Sequence, residues 1–163
     1  MPNLVEEFTY HADLTPQEVG PGPLGLRLIG TIHSGEAEGA RIKGVFAGAG
    51  GDWLTVGSDG FGRIDVRGTI ETPDGANIYL QYSGLLEVTP NVMAIIGGAG
   101  EPTGYGDQYF FTNPRLETGS EQYAWVNSTF FVGEGRLLPG PPLPRSTTPT
   151  IRVEYHVYRL EHG

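Results

Sequence analysis

The stretch RIDVRGTIETPDGANIYLQYSGLL, residues 63–86, decides the fold. Ile64, Val66 and Ile70 fall on one side and Arg63, Asp65, Arg67, Thr69 and Glu71 on the other, which is the period of a β-strand and not of a helix. Thr72-Pro73-Asp74-Gly75 then supplies a proline that fixes its own φ, followed by an Asp-Gly pair, the chemistry of a tight reversal. The two arms are therefore expected to pair as an antiparallel hairpin.

The same pattern recurs along the chain. Segments of strand character bounded by Gly, Pro, Asn or Asp fall at 4–14, 24–37, 40–47, 52–72, 76–88, 92–98, 109–118, 123–137 and 150–160, and no sustained helical spacing of apolar residues interrupts them. The chain has 163 residues, of which 26 are Gly and 13 Pro, so it is of single-domain size and heavily punctuated. About eight to ten antiparallel strands must hide their edges, and closing into one β-barrel does so within a single domain spanning 1–163. Gly44, Gly68 and Gly84, inside otherwise good strands, suit the bends that closure needs. The proline-rich stretches near 16–25 and 138–150 are expected to be connections, because proline cannot donate to a strand ladder.

Composition excludes several function classes. The formal charge is -9, with only 10 Lys and Arg, which opposes binding to nucleic acid or to an anionic membrane surface. No apolar run reaches the roughly 20 residues of a spanning helix, and the first residues lack a basic, then apolar, leader pattern, so a soluble cytoplasmic protein is expected. There are 0 Cys, hence no disulfide or thiolate chemistry, and the 4 His lack ligand spacing, so no metal is expected. The glycine runs at 46–53 and 95–106 lack the Gly-Lys-Ser/Thr ending of a phosphate loop, and no Gly-x-Ser-x-Gly elbow occurs; no cofactor is expected.

Two segments carry candidate chemistry. If 121–135 is a strand, Tyr123, Trp125, Asn127 and Thr129 share a face, giving a half-aromatic, half-polar wall of the kind that lines ligand pockets. If Ile64, Val66 and Ile70 pack outward, Asp65 and Arg67 enter the lumen, the first as a proton carrier and the second as a stabiliser of developing negative charge; otherwise they form an ordinary solvated face. Asp52 beside Trp53 reads as a pocket acid or a loop cap. Asp59-Gly60 reads as a turn, and Glu117 as a strand-end charge or a pocket acid.

The motifs Gly51-Asp52-Trp53, Asp59-Gly60, Asp65-x-Arg67, Tyr82-x-Gly84, Tyr109 to Gly119, Tyr123 to Asn127 and Tyr155 to Tyr158 resemble those of the family called DUF3237 or UPF0311, over most of the chain from about residue 25. Leu116 and Val126 stand where that pattern carries Phe and Leu, both apolar exchanges. The resemblance implies a small antiparallel β-barrel with an internal pocket, and no defined chemistry. The expected function is a small-molecule-binding barrel performing cofactor-independent isomerase, cyclase or lyase chemistry on a partly aromatic or carbonyl-bearing substrate. Asp65 and Arg67 would be catalytic; Asp52, Trp53, Tyr82, Glu117, Tyr123, Trp125 and Asn127 would bind substrate. The alternatives are a non-catalytic carrier or sensor barrel and a homo-oligomer acting through its outer surface.

Overall fold

A computed structural model describes all residues, Met1–Gly163. The strands β1 (Pro2–Gly22), β2 (Gly25–Gly39), β3 (Lys43–Val56), β4 (Phe61–Glu71), β5 (Asn77–Glu87), β6 (Phe110–Glu117), β7 (Phe131–Pro139) and β8 (Ile151–His162) form a closed antiparallel barrel in sequence order. The hairpin of residues 63–86 is present with unbroken register from Phe61↔Glu87 to Glu71↔Asn77. At its turn, Thr72 Oγ1 accepts from Ala76 N–H at 3.0 Å, and Gly75 takes φ 84°, a conformation that only glycine adopts without strain.

Alternation along each strand sends one side chain in two to the interior. Phe8, Tyr10 and Ala12 of β1, Ile64, Val66 and Ile70 of β4, Ile78, Leu80 and Tyr82 of β5, and Val153, Tyr155 and Val157 of β8 form a continuous buried cluster. Each fully buried aliphatic or aromatic side chain contributes about 1.5–3 kcal/mol. Gly68 lies on this inward face so that the Phe46 ring can cross it, since a Cβ there would stand 2.5 Å from Phe46 Cε2.

Three segments differ from expectation. Residues 92–98 form no strand; Pro90–Ile96 is a short helix, α1, because Thr89 accepts the Val92 N–H on its hydroxyl and Pro90 favours the first turn. Val92, Ile95 and Ile96 are buried under it and close one end of the barrel. Residues 121–128 form no strand either, but a 3₁₀ turn, Glu121–Ser128, that closes the opposite end with Tyr123 and Val126. Finally, residues 16–22 belong to β1 and pair with β2, whereas pairing with β8 stops at Leu14↔Ile151. Pro16 and Pro21 thus sit where one side of the strand has no neighbour, and the missing N–H leaves no ladder gap. Of the proline-rich stretch 138–150, Leu138 and Pro139 belong to β7 and pair with β8, and residues 140–150 form neither helix nor strand.

The 3₁₀ turn exists at the expense of one seam. β6 and β7 pair only through Phe111↔Glu134 and Thr112↔Gly133, and below these the strands diverge around the turn. Pro114, without an N–H, pairs with Tyr82 of β5 but lies where β6 has no partner on β7, and Asn113 Nδ2 reaches across to the Phe131 carbonyl at 3.4 Å. Asn127 holds the turn by accepting the Thr118 N–H at 2.8 Å and donating to the Thr118 carbonyl at 3.0 Å. Nearby, the buried Glu7 carboxylate pairs with both Arg41 and Arg159, and the Arg41 guanidinium lies 3.8 Å from the Trp125 ring.

Candidate functional site

The expected lumen pair is not in the lumen. Ile64 and Val66 are 5% and 2% exposed, so β4 turns its aliphatic face inward, and the side chains of Asp65 and Arg67 remain 50% and 58% exposed on the outer surface, 3.9 Å apart. Ion pairs so exposed contribute little. The stripe expected of Tyr123, Trp125 and Asn127 is likewise absent as a lumen wall, because those residues lie on the 3₁₀ turn. Tyr123 is a buried plug whose hydroxyl donates to Asp74 at 3.1 Å, Trp125 packs edge-on to Phe131 at 6.2 Å, and Asn127 is an exposed tether.

Two of the expected residues do face inward, Asp52 and Tyr82. Asp52 alternates with Trp53, which is 41% exposed on the outside, and shares its face with the buried Leu54 and Val56. Opposite it on β2 stands Gly30, where a Cβ would stand 2.9 Å from Leu14 Cδ1, so the glycine makes way for the inward Leu14 side chain next to Asp52. The β3–β4 register runs through Asp52↔Val66 and resumes only at Thr55↔Arg63. In that interruption the Asp65 N–H donates to Asp52 Oδ1 at 3.1 Å, so the carboxyl is set into the barrel wall. Burial pushes its pKa from 3.8 to about 6; the Asp65 N–H opposes the rise and the Asp65 charge adds to it.

Tyr82 belongs to a buried group with Tyr10 and Tyr155, whose rings meet Tyr155 at 5.3 Å edge-on and 6.3 Å stacked, respectively. Burial holds all three hydroxyls well above the ordinary phenol range, and the charge of Asp52 adds to the rise at Tyr82 and Tyr155. Tyr10 OH is a buried polar atom without a hydrogen-bond partner. The void among Tyr10, Tyr82, Thr112, Pro114 and Tyr155 is about 10 Å³, the limit for one water molecule. Side chains therefore fill this part of the interior, and the void among the tyrosines is far below ligand size.

Ligand-sized hollows lie outside. A groove of about 540 Å³ between β5, β6 and the 3₁₀ turn brings Glu117 and Asn127 together with Tyr79, Gln81, Arg115 and Phe130. Trp125 lines a second, of about 520 Å³, with Arg41 and Arg159, while Trp53 and Arg67 share a third, of about 350 Å³, with Tyr79. No group of His, Cys, Asp and Glu is arranged to hold a metal ion, and no helix is long and apolar enough to cross a membrane.

Tyr10 and Tyr155, the other rings of this buried group, are not among the residues expected to bind substrate. Both were legible: Phe8-x-Tyr10-x-Ala12 and Val153-x-Tyr155-x-Val157 place them on apolar faces of period two.

These features define a small, closed, eight-stranded antiparallel barrel with an acid in its wall and a tyrosine group at its centre. The chain belongs to the family described as protein of unknown function (DUF3237), which matches residues 2–160. It is 32% identical over 113 residues to a UPF0311 protein of Bradyrhizobium diazoefficiens, covering 69% of this chain and 73% of that one. Among solved structures, a conserved protein of unknown function from Rhodopseudomonas palustris superposes with a TM-score of 0.81 at 26% identity, over 99% of both chains. A structure described as an enzyme from Penicillium herquei superposes with a TM-score of 0.64 at 20% identity, over 98% of this chain and 95% of that one, a likeness of fold alone.

Proposed function

We propose that this barrel performs cofactor-independent acid/base chemistry of isomerase, cyclase or lyase type on a small, partly aromatic or carbonyl-bearing molecule, with Asp52 rather than Asp65 as the proton carrier. The observation that carries this reading is the inward Asp52 carboxyl, with a pKa raised to about 6, whose charge is felt at Tyr82 and Tyr155. Such a group is mostly ionised at neutral pH, yet close enough to it to accept and return a proton, the condition for an efficient general base. A proton removed by Asp52 from carbon beside a carbonyl leaves its electron pair on the carbonyl oxygen. A Tyr82 or Tyr155 hydroxyl, kept neutral by burial, can donate a hydrogen bond to that oxygen. Asp52 then returns the proton to a different atom or assists loss of a leaving group.

A substrate needs more room than the filled interior offers, so this reading requires part of the wall to yield. The β6–β7 seam, held by the pairs Phe111↔Glu134 and Thr112↔Gly133, is the thinnest stretch of wall. The test is native mass spectrometry to identify a retained molecule, followed by turnover of that molecule. Asp52→Asn and Tyr155→Phe should each lower turnover by about 10²–10⁴-fold. Unchanged turnover in Asp52→Asn removes the proposal. The filled interior favours a second reading, a non-catalytic carrier or sensor that uses the outer grooves; its signature is recovery of the identified ligand chemically intact after long incubation.

A further inference from the structure

The groove between β5, β6 and the 3₁₀ turn contains a cation with nothing to hold. Arg41, Arg63, Arg67, Arg136, Arg152 and Arg159 each pair with a carboxylate. Arg115 has neither a carboxylate within reach nor a hydrogen-bonded side chain, although Glu117 stands on the same face of the same strand. Cross-strand register puts Gln81 opposite Arg115 and Tyr79 opposite Glu117, and neither of these side chains is engaged elsewhere. Tyr79 and Phe130 are 36% and 56% exposed at the rim, while Leu116 and Val126 close the floor. A guanidinium fork open to solvent is shaped for a planar carboxylate, and two rings above an apolar floor are shaped for a flat apolar body.

From this arrangement we infer that the groove is a binding site for small aromatic carboxylates that carry a hydroxyl or amino group across the ring. The carboxylate meets Arg115, the ring lies along Tyr79 and Phe130, and the far donor reaches the Glu117 carboxylate. Side chains at i and i+2 on one strand stand about 7 Å apart, close to the separation of para substituents on a benzene ring. The volume of about 540 Å³ lies within the usual range for small-molecule sites. The charge separation itself supports the assignment: an Arg and a Glu that closed on each other would leave neither end for a ligand. This site is on the outer surface and does not depend on Asp52.

The probe is 4-hydroxybenzoate, titrated to roughly 10 mM into the whole protein, with binding read from backbone amide shifts. Saturable shifts confined to Tyr79, Gln81, Arg115 and Glu117 are expected. Arg115→Gln should weaken binding by at least about tenfold, while Arg67→Gln, in the neighbouring groove, should leave it within about twofold. Glu117→Gln should keep the affinity for benzoate and lose the preference for the hydroxylated acid. 4-Hydroxybenzyl alcohol, which lacks the carboxylate, should not compete. All three substituted side chains are exposed, so unchanged amide positions elsewhere report an intact fold. Absence of saturation in the wild-type chain, binding unaffected by Arg115→Gln, or equal binding of the alcohol overturns the assignment.

Discussion

Asp52 and Asp65 are joined by a hydrogen bond, yet their carboxyls serve opposite sides of the wall. The Asp65 N–H donates to Asp52 Oδ1 at 3.1 Å, while the Asp65 side chain stands half in solvent beside Arg67. The inward partner has the raised pKa, and that fixes how the protein should respond to pH.

The Asp52 carboxyl has a folded pKa near 6 against 3.8 in the unfolded chain, so between these values the native state holds a proton that the unfolded state has released. Stability therefore falls as pH rises through this window, and the full cost, about 3 kcal/mol at most, is borne above it. Asp52→Asn keeps an acceptor for the Asp65 N–H without the buried charge. Urea unfolding from pH 4 to 8 should show the variant gaining on the wild type as pH rises, by about 1–3 kcal/mol at pH 8, with the difference closing near pH 4. A pH-independent difference would contradict the assignment of the shift to Asp52.

Asp65→Asn and Arg67→Gln should each change stability by less than about 0.5 kcal/mol, because an exposed pair 3.9 Å apart loses to water most of what it gains by attraction. Arg67→Gln should leave turnover of a substrate processed through Asp52 unchanged, and Asp65→Asn should alter it only slightly, because the Asp65 charge is a smaller cause of the Asp52 shift than burial. A large loss of activity in either variant, with stability unchanged, would return the chemistry to the outer face.

The hairpin at 63–86 and the barrel it belongs to were legible because alternation and turn chemistry are local properties of the chain. The face assignment of β4 was not. A strand with apolar and charged sides reads identically whether its apolar side meets the core or a partner, and only the filled interior decides between them. Residues 121–128 misled for a different reason: the Tyr-x-Trp-x-Asn alternation fits a strand, but the chain needs a plug at this end of the barrel, and the tether from Asn127 to Thr118 holds it in a tighter turn. At 92–98 the signal was present in Thr89-Pro90 ahead of the apolar run, and the strand pattern of the surroundings obscured it.

Gly68 tests the packing of the filled interior. An alanine methyl would sit 2.5 Å from Phe46 Cε2, closer than van der Waals contact allows, so Gly68→Ala should cost about 1–3 kcal/mol by overpacking. In a Phe46→Leu background the shorter side chain vacates that space, and the same substitution should cost markedly less. This non-additivity is read from a double-mutant cycle of urea midpoints. Equal costs in both backgrounds would mean that Phe46 does not lie over Gly68.

Tyr10 offers the sharpest measure of whether the centre of the barrel is kept for packing or for chemistry. Its ring stacks on Tyr155 at 6.3 Å, contacts that a phenylalanine would retain, but its hydroxyl is buried without a partner. An unsatisfied buried hydroxyl costs about 1–3 kcal/mol, so Tyr10→Phe should stabilise the protein by about 1–2 kcal/mol. The adjoining void of about 10 Å³ barely admits one water, and a water there would erase the gain by supplying the missing bond. Thermal and urea unfolding of the variant distinguish these cases: a gain means a dry, orphaned hydroxyl, and a loss means that the interior is wetter than its packing implies. A stability gain accompanied by loss of turnover would show that the chain tolerates an unfavourable group because the reaction needs it, the trade expected of a functional site and not of a core.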